Sequence, residues 1–346
     1  MSWVFAALFA IMGAVLVLPF AVKRVEEELE LFLLGMGVLA ATVGGAWSGR
    51  LTLDAVLEPV LISLAVLVFG LLFRALRATL RRATAGAARR VGLPAFLFLT
   101  VAAVGLLSSA ATAIIAALVV VEVASGLRLP RKNEVRIVVF ACFSIGLGAA
   151  LTPIGEPLST IVVAKLAGPP HDAGFFFLAE LLGGFVVPGI LVCAAAAATQ
   201  GAKIVPPEKS LADSEPEEWQ GIVYRALKVF VFVAALVLLS AGLNPIVDRF
   251  ILGLPLPALY WINSLSAVLD NATLAAAEVN GRMAPAELRF LLMGLLVSGG
   301  MLIPGNIPNI VCAGKLGIKS GEWARVGVPF GGALMLVCFA ALQLAR

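Results

Sequence analysis

Two short stretches place polar groups where strongly apolar sequence leaves them few partners. Leu265 to Thr273 reads Leu-Ser-Ala-Val-Leu-Asp-Asn-Ala-Thr, and Ile303 to Asn309 reads Ile-Pro-Gly-Asn-Ile-Pro-Asn. Asp270 stands about halfway along an apolar segment, with no basic residue within a helical turn. A charge at the bilayer centre costs roughly 2.5–3.5 kcal/mol on insertion scales, so such residues are rare and mark ion pathways. Asp270 and Asn271 offer a carboxylate and an amide oxygen, which suit a hard cation. Burial disfavours the charged carboxylate, so a proton and a cation can compete for it. Ser264, Ser266 and Thr273 add hydroxyl oxygens nearby.

A further interruption, Thr152-Pro-Ile-Gly-Glu-Pro157, sets Glu156 in a helix break flanked by Thr152, Ser159 and Thr160. Asn306 and Asn309 supply amide oxygens at the other break. Pro153, Gly155 and Pro157, with Pro304, Gly305 and Pro308, interrupt regular helix and free backbone carbonyls that can also ligate. Leu107-Ser-Ser-Ala-Ala-Thr112 contributes Ser108, Ser109 and Thr112. Taken singly, each polar side chain could serve only a helix–helix hydrogen bond. Gathered at the breaks, they fit a cation site at the membrane midplane, with Asp270, Asn271 and Glu156 as its main ligands.

The elements that must hold these groups are membrane helices. The 346 residues are 61% hydrophobic and only 13% charged, with a mean hydropathy of +1.05. Soluble domains run nearer 45–50% apolar and about 25% charged. Long continuous apolar runs argue for helices, because barrel strands would be short and alternating. The net charge of +4 points away from nucleic acid, since the basic residues lie in loops and report topology. Cys142, Cys193, Cys312 and Cys338 lie in apolar segments without ligand spacing and are read as packing residues. His171, in Gly-Pro-Pro-His-Asp-Ala-Gly, is read as structural or solvated. Nothing resembles a catalytic constellation, a P-loop or a nucleotide-binding domain, so neither an enzyme nor an ATP-driven pump is expected, and no resident cofactor.

Three spans come first, roughly Trp3–Phe20, Leu31–Trp47 and Leu57–Phe73. The first lacks a basic n-region and is read as a span, not a signal peptide. Arg74–Arg90, rich in arginine and without acids, is expected to be an amphipathic cytoplasmic loop. Gly92–Ser125 is too long for one upright crossing of about 20 residues and is flanked by basic loops at both ends. A re-entrant hairpin over Leu93–Ser125, with its tip near Ser108–Thr112, keeps both loops inside. Val135–Gly168 is expected to be one broken crossing, Phe175–Ala198 a plain span, and Gln200–Gln220 the linker.

The pattern then recurs after the span Ile222–Leu243. At one constant offset Ser108 aligns with Ser264, Leu118 with Leu274, Glu122 with Glu278 and Val123 with Val279. At a second offset Gly155 aligns with Gly305, Glu156 with Asn306, Lys165 with Lys315 and Leu166 with Leu316. The order of these matches, and their coincidence with two breaks, indicates an internal repeat. The expected fold is therefore an all-α integral membrane protein of two inverted repeats and about eight full crossings. Each repeat carries a re-entrant helical hairpin and a broken helix. Residues 1–200 form the first repeat, with scaffold spans in 1–75 and transport elements in 93–200. Residues 201–220 are a cytoplasmic linker and 221–346 the second repeat. Both termini then lie outside, and most of the 25 Lys and Arg residues fall on the cytoplasmic face. Glu122, Glu180 and Glu278 are read as interfacial or structural. Lys165 and Lys315 are expected to snorkel or cap helix carboxy-terminal carbonyls, with a gating ion pair as the alternative.

At these motifs the sequence resembles the ion transporter superfamily of arsenite pumps, D-type sodium/proton antiporters and dicarboxylate carriers. The nearest likeness is to its small, little-characterised cation transporters. Ser266-Ala-Val-Leu-Asp-Asn-Ala-Thr is similar to the antiporters' second hairpin motif, with Asp270 and Asn271 at the matching acid and amide. Gly148-Ala-Ala-Leu-Thr-Pro-Ile-Gly-Glu-Pro is similar to their broken-helix motif, in which an acid follows Pro-Ile-Gly. The resemblance covers most of the chain from Leu93 onward. It implies inverted repeats, a homodimer through the scaffold and cation/proton exchange, with Na+ and H+ as the transported species. The first hairpin departs from it: Ser-Ser-Ala-Ala-Thr replaces a Ser-Asn-Thr type motif, and Ile114 and Ile115 align with Asp270 and Asn271. That argues against two symmetric cation sites and against a dicarboxylate substrate.

The expected function is secondary active cation transport in the cell membrane, most simply exchange of sodium for protons. A sodium- or proton-coupled carrier of a small oxyanion or organic anion is the alternative. The absence of arginine from either break disfavours a carboxylate or phosphate, while half-helix amino termini leave an anion possible.

Overall fold

The computed structural model describes residues 3–127, 129–201, 219–246, 249–250, 254–267, 271–279 and 281–345. It is 85% helix, with no strand among the described residues. The helices run α1 (Trp3–Ala21), α2 (Lys23–Glu27), α3 (Leu29–Val43), α4 (Gly49–Val91), α5 (Leu93–Ala111), α6 (Ala113–Leu127), α7 (Arg131–Ala149) and α8 (Pro157–Lys165). They continue with α9 (Phe177–Gly201), α10 (Trp219–Ile246), α11 (Leu256–Ile262), α12 (Asn271–Glu278), α13 (Pro285–Gly299), α14 (Ile307–Leu316) and α15 (Ser320–Leu344). Among the described residues, α1, the first part of α4, α5, α9, α10 and α15 are long and apolar enough to cross a membrane.

Two early elements differ from expectation. Arg74–Arg90 is not a loop: α4 continues unbroken through it from Gly49 to Val91. At about 1.5 Å per residue that is roughly 65 Å, about twice the hydrocarbon thickness. The arginines mark where apolar sequence ends, yet Ala, Arg and Leu are strong helix formers and nothing after Pro59 stops the helix. The start of α4 is fixed by Ser48, whose hydroxyl accepts from the Leu51 N–H at 3.1 Å. Conversely, the second span shortens to the 15 residues of α3, about 22 Å, because Gly44 and Gly45 end it before Trp47.

Packing sorts the helices into two groups. α10 lies against α3 and α4, with α1 against α3. α5, α7 and α9 pack mutually, and α13 carries α11 and α15 on its flank and touches α7. Between the groups, partners are exchanged: α6 packs on α4 and α14, while α12 packs on α8. The four cysteines are buried, in keeping with a packing role.

The tightest crossing is α5 on α7. Ser108 donates to the carbonyls of Gly105 at 2.6 Å and Ile145 at 3.0 Å, and Ser144 donates to the Val101 carbonyl at 2.9 Å. A Cβ on Gly148 would collide with the Gly105 backbone carbonyl. Gly148→Ala is therefore expected to destabilise the fold by about 3 kcal/mol, the upper part of the usual overpacking range. It should appear as a lower thermal midpoint in detergent, against a Gly184→Ala control whose Cβ meets open space.

Candidate functional site

The two helix breaks share one local design. Glu156 and Asn306 are the N-cap residues of α8 and α14, both extended, with φ −157° and −158°. Pro157 opens α8 and Pro308 lies in the first turn of α14, positions where proline loses no helical bond. Before each cap the chain makes the same turns: Leu151 donates to Gly148 at 3.1 Å and Met301 to Ser298 at 2.9 Å. Gly155 donates to Thr152 at 3.1 Å and Gly305 to Leu302 at 3.3 Å. The last carbonyl of the incoming helix is then taken up by a side chain beyond the break. Ser159 donates to the Ala149 carbonyl at 3.3 Å, and the Asn309 amide donates to the Gly299 carbonyl at 2.8 Å. A Cβ on Gly155 or Gly305 would strike these same carbonyl groups, which is why glycine precedes each cap.

Between α5 and α6 the chain bends at Thr112, whose φ of 64° and ψ of 147° lie in a region occupied almost only by glycine. Such a conformation costs of order 1–3 kcal/mol and persists where surrounding contacts over-determine it. Here the Ala113 N–H donates to the Gly155 carbonyl at 3.0 Å, and the Thr152 hydroxyl donates to the Ser109 carbonyl. The bend is thus tied directly to the first break.

A cavity of about 420 Å³ opens where these parts meet. Thr112, Pro153, Gly155, Glu156, Pro157, Thr160 and Asn306 line it, with Ile62, Ile114, Ile154 and Ile307 among its apolar walls. First-turn residues of α6, α8 and α14 all border it, so three helix amino termini, each carrying partial positive charge, surround the space. Glu156 is the one ionisable residue among those lining it and is 8% exposed. Thr160 donates to the Pro153 carbonyl at 2.7 Å; a hydroxyl that donates in this way keeps its oxygen lone pairs for a ligand. The structure therefore joins Thr112, Glu156, Thr160 and Asn306, with Pro153, Gly155 and Pro157, in one cavity.

A second polar cluster lies at Gly299. Asn271, at the start of α12, is 4% exposed, and its amide sits against Gly299. Neither polar atom of that amide has a hydrogen-bond partner among the described residues. Asn309 is fully buried and donates to the carbonyls of Gly299 and Leu302, both at 2.8 Å. Its Oδ1 also has no partner among the described residues. Pro304, Gly305 and Pro308 belong to this side of the break and do not line the cavity. Asp270 lies outside the described residues, as do the side chains of Ser266 and Thr273. Ser108, Ser109, Thr152 and Ser159 are not brought to the cavity. They bond to backbone carbonyls at helix crossings, bends and breaks.

A cavity residue, Ile62, and a glycine packed against Asn306, Gly146, were missed by reading the sequence. Ile62 comes from α4, inside an apolar run where no period marks one face. Gly146 faces Asn306: a Cβ there would lie 2.8 Å from the amide nitrogen, so the glycine leaves that side chain its place.

The two lysines near the ends of α8 and α14 reach across to α12 and α6. Lys315, on α14, pairs with Glu122 of α6 at 2.9 Å. Lys165, on α8, donates to the carbonyls of Ala276 and, at 3.0 Å, Val279 at the end of α12. Lys165 thus caps carbonyls at a helix carboxy-terminus, as expected, while Lys315 forms an ion pair instead.

Fold and site together define an all-helical, multi-pass membrane protein, with two matched helix breaks that both border one cavity holding a single carboxylate. The chain belongs to the family described as "Protein of unknown function (DUF1646)", whose model matches residues 5–344. No curated protein matches it.

Proposed function

We propose that this protein is a secondary active transporter that exchanges sodium, or a similar monovalent cation, for protons across the cell membrane. The observation that carries the reading is the cavity at the breaks. A single buried carboxylate, Glu156, shares it with the Asn306 amide and two hydroxyls, and no basic residue is among those lining it. Burial in low dielectric disfavours the charged form of such a carboxylate, and a proton or a cation relieves that cost. One group that takes either, but not both, is the minimum needed for exchange. At about 30 Å³ per water, the cavity has the volume of roughly a dozen waters, room enough for a cation to enter with part of its hydration shell. Asp270, beside the buried Asn271, is the principal cation and proton site in this reading, with Glu156 as the second coupling acid.

The matched hydrogen bonds at the two breaks, and the exchange of α6 and α12 between them, support two inverted repeats. The re-entrant reading of Leu93–Ser125 draws support from Gly126, at the end of α6. A Cβ there would lie 3.6 Å from Thr84 of α4, close to where α4 hands over to α5. Both ends of the hairpin then lie on one side. Cysteines placed at Thr84 and Lys132 should label from the same, cytoplasmic face; labelling from opposite faces overturns the inverted topology. A homodimer through the early spans belongs to the same reading.

The assay is transport by purified protein in liposomes, with sodium and pH gradients imposed separately. A sodium gradient should drive protons, and a proton gradient should drive sodium. The three helix amino termini around the cavity also favour a small anion. That second reading predicts flux that depends on an added oxyanion and no sodium–proton exchange in its absence.

A further inference from the structure

The first of the two exchanged lysine contacts has an unused partner beside it. Glu278, the last residue of α12, is 3% exposed. One of its carboxyl oxygens accepts from the Asn263 amide at 3.0 Å, and the other has no partner among the described residues. Lys165 holds carbonyls of the same terminal turn, three residues apart, and those bonds straddle Glu278. At the equivalent place in the other repeat, Lys315 binds the carboxylate of Glu122 itself. Two aligned lysine–glutamate pairs are therefore found in two states, one with its ion pair formed and the other with its ion pair open.

Among the described residues, the remaining charged groups around α12 are placed elsewhere. On α13, Glu287 accepts from the Ala284 N–H at its own helix start, and Arg289 donates to the Leu181 carbonyl. On α10, Lys228 pairs with Glu30. The 3-10 turn Asn263–Ala267 carries no titratable group, and Arg282, beyond the helix, is exposed. Lys165 is thus the cation placed to meet an ionised Glu278. A carboxylate buried with one amide hydrogen bond and no ion pair carries most of its desolvation cost uncompensated, whereas a protonated carboxyl does not.

We propose that Glu278 is a proton-carrying acid separate from the cavity, and that Lys165 receives its ionised form in a pair like that of Lys315 with Glu122. The proton leaves the carboxyl for water at the end of α12. The Lys165 ammonium then moves from the Ala276 and Val279 carbonyls to the carboxylate, so charge is balanced without a second cation. Because Lys165 belongs to the helix that Glu156 caps, protonation of Glu278 and the position of α8 are linked. This use of the proton rests on the exchange reading; the protonation itself does not.

The test is infrared difference spectroscopy on the full-length protein in lipid, with carbon-13 glutamate labelling. At neutral pH the parent should show a protonated glutamate carboxyl band that Glu278→Gln removes and Glu122→Gln leaves. In Lys165→Met, which keeps Glu278, the band should persist to higher pH because the receiving cation is gone. Should Glu278→Gln not fold, that shift still decides the matter. A neutral-pH spectrum with Glu278 fully ionised, or a band indifferent to Lys165→Met, overturns the proposal. A protein that shows the band and its shift yet exchanges no sodium for protons sinks the transport reading and leaves this site standing.

Discussion

Glu156→Gln should lower sodium-driven proton movement in liposomes at least about tenfold, equivalent to about 1.4 kcal/mol, at unchanged membrane insertion. The substitution keeps the size and the extended N-cap geometry of the residue, whose side chain makes no capping bond to α8. What it removes is the one group lining the cavity that can change its charge. Glutamine can still offer an oxygen to a cation, so sodium binding should weaken less than coupling does. Loss of flux with residual sodium binding is therefore the expected pattern, measured by sodium binding to the purified variant beside the flux assay. Asn306→Ala, by contrast, removes a neutral ligand on the opposite wall and should weaken sodium binding with proton dependence retained. Parent-rate exchange by Glu156→Gln would mean that the cavity is a packing defect at a helix break and not a site.

How much of this was open to reading depends on which physical signal each feature leaves in sequence. The breaks were legible because Pro153, Pro157, Pro304 and Pro308 cannot continue a helix, and because glycine stands before each cap. The bend at Thr112 fell at the edge of the expected hairpin tip. The reciprocal contacts of Lys165 and Lys315 were foreshadowed by the internal alignment, which already set Glu122 against Glu278. What stayed hidden was direction. In a helix that is apolar on every side, no moment marks the face that borders a cavity, so Ile62 was invisible and Ser108 was overvalued. Ser108 and Ser159 have the residue type of ligands, yet they neutralise carbonyls left over at a crossing and a break. The misreading of Arg74–Arg90 has a related cause. Charge reports where the membrane ends, whereas backbone propensity decides where the helix ends, and in α4 the two lie far apart.

Asp270→Asn should have the larger effect of the two acid substitutions, abolishing the pH dependence of exchange and reducing sodium-driven proton movement to background. Asp270 lies outside the described residues, and its sequence neighbour carries the expectation. Asn271, its neighbour, is buried with both amide atoms unpartnered among the described residues. Asn309 presents a second buried oxygen beside the same Gly299 backbone. Buried amides are normally bonded, and two unpartnered amide oxygens at one glycine suit a ligand that is itself positive. Asparagine at 270 would keep shape and one oxygen but could neither bind a proton nor balance a cation. The double variant with Glu156→Gln separates two arrangements. If both acids serve one transported ion in sequence, the double variant should bind no less sodium than Asp270→Asn alone, since coupled residues lose their effect together. If each acid holds its own ion, each single variant should bind about half the sodium of the parent and the double variant none. Exchange at the parent rate by Asp270→Asn would remove the acid from the mechanism and leave Glu156 as the sole coupling group.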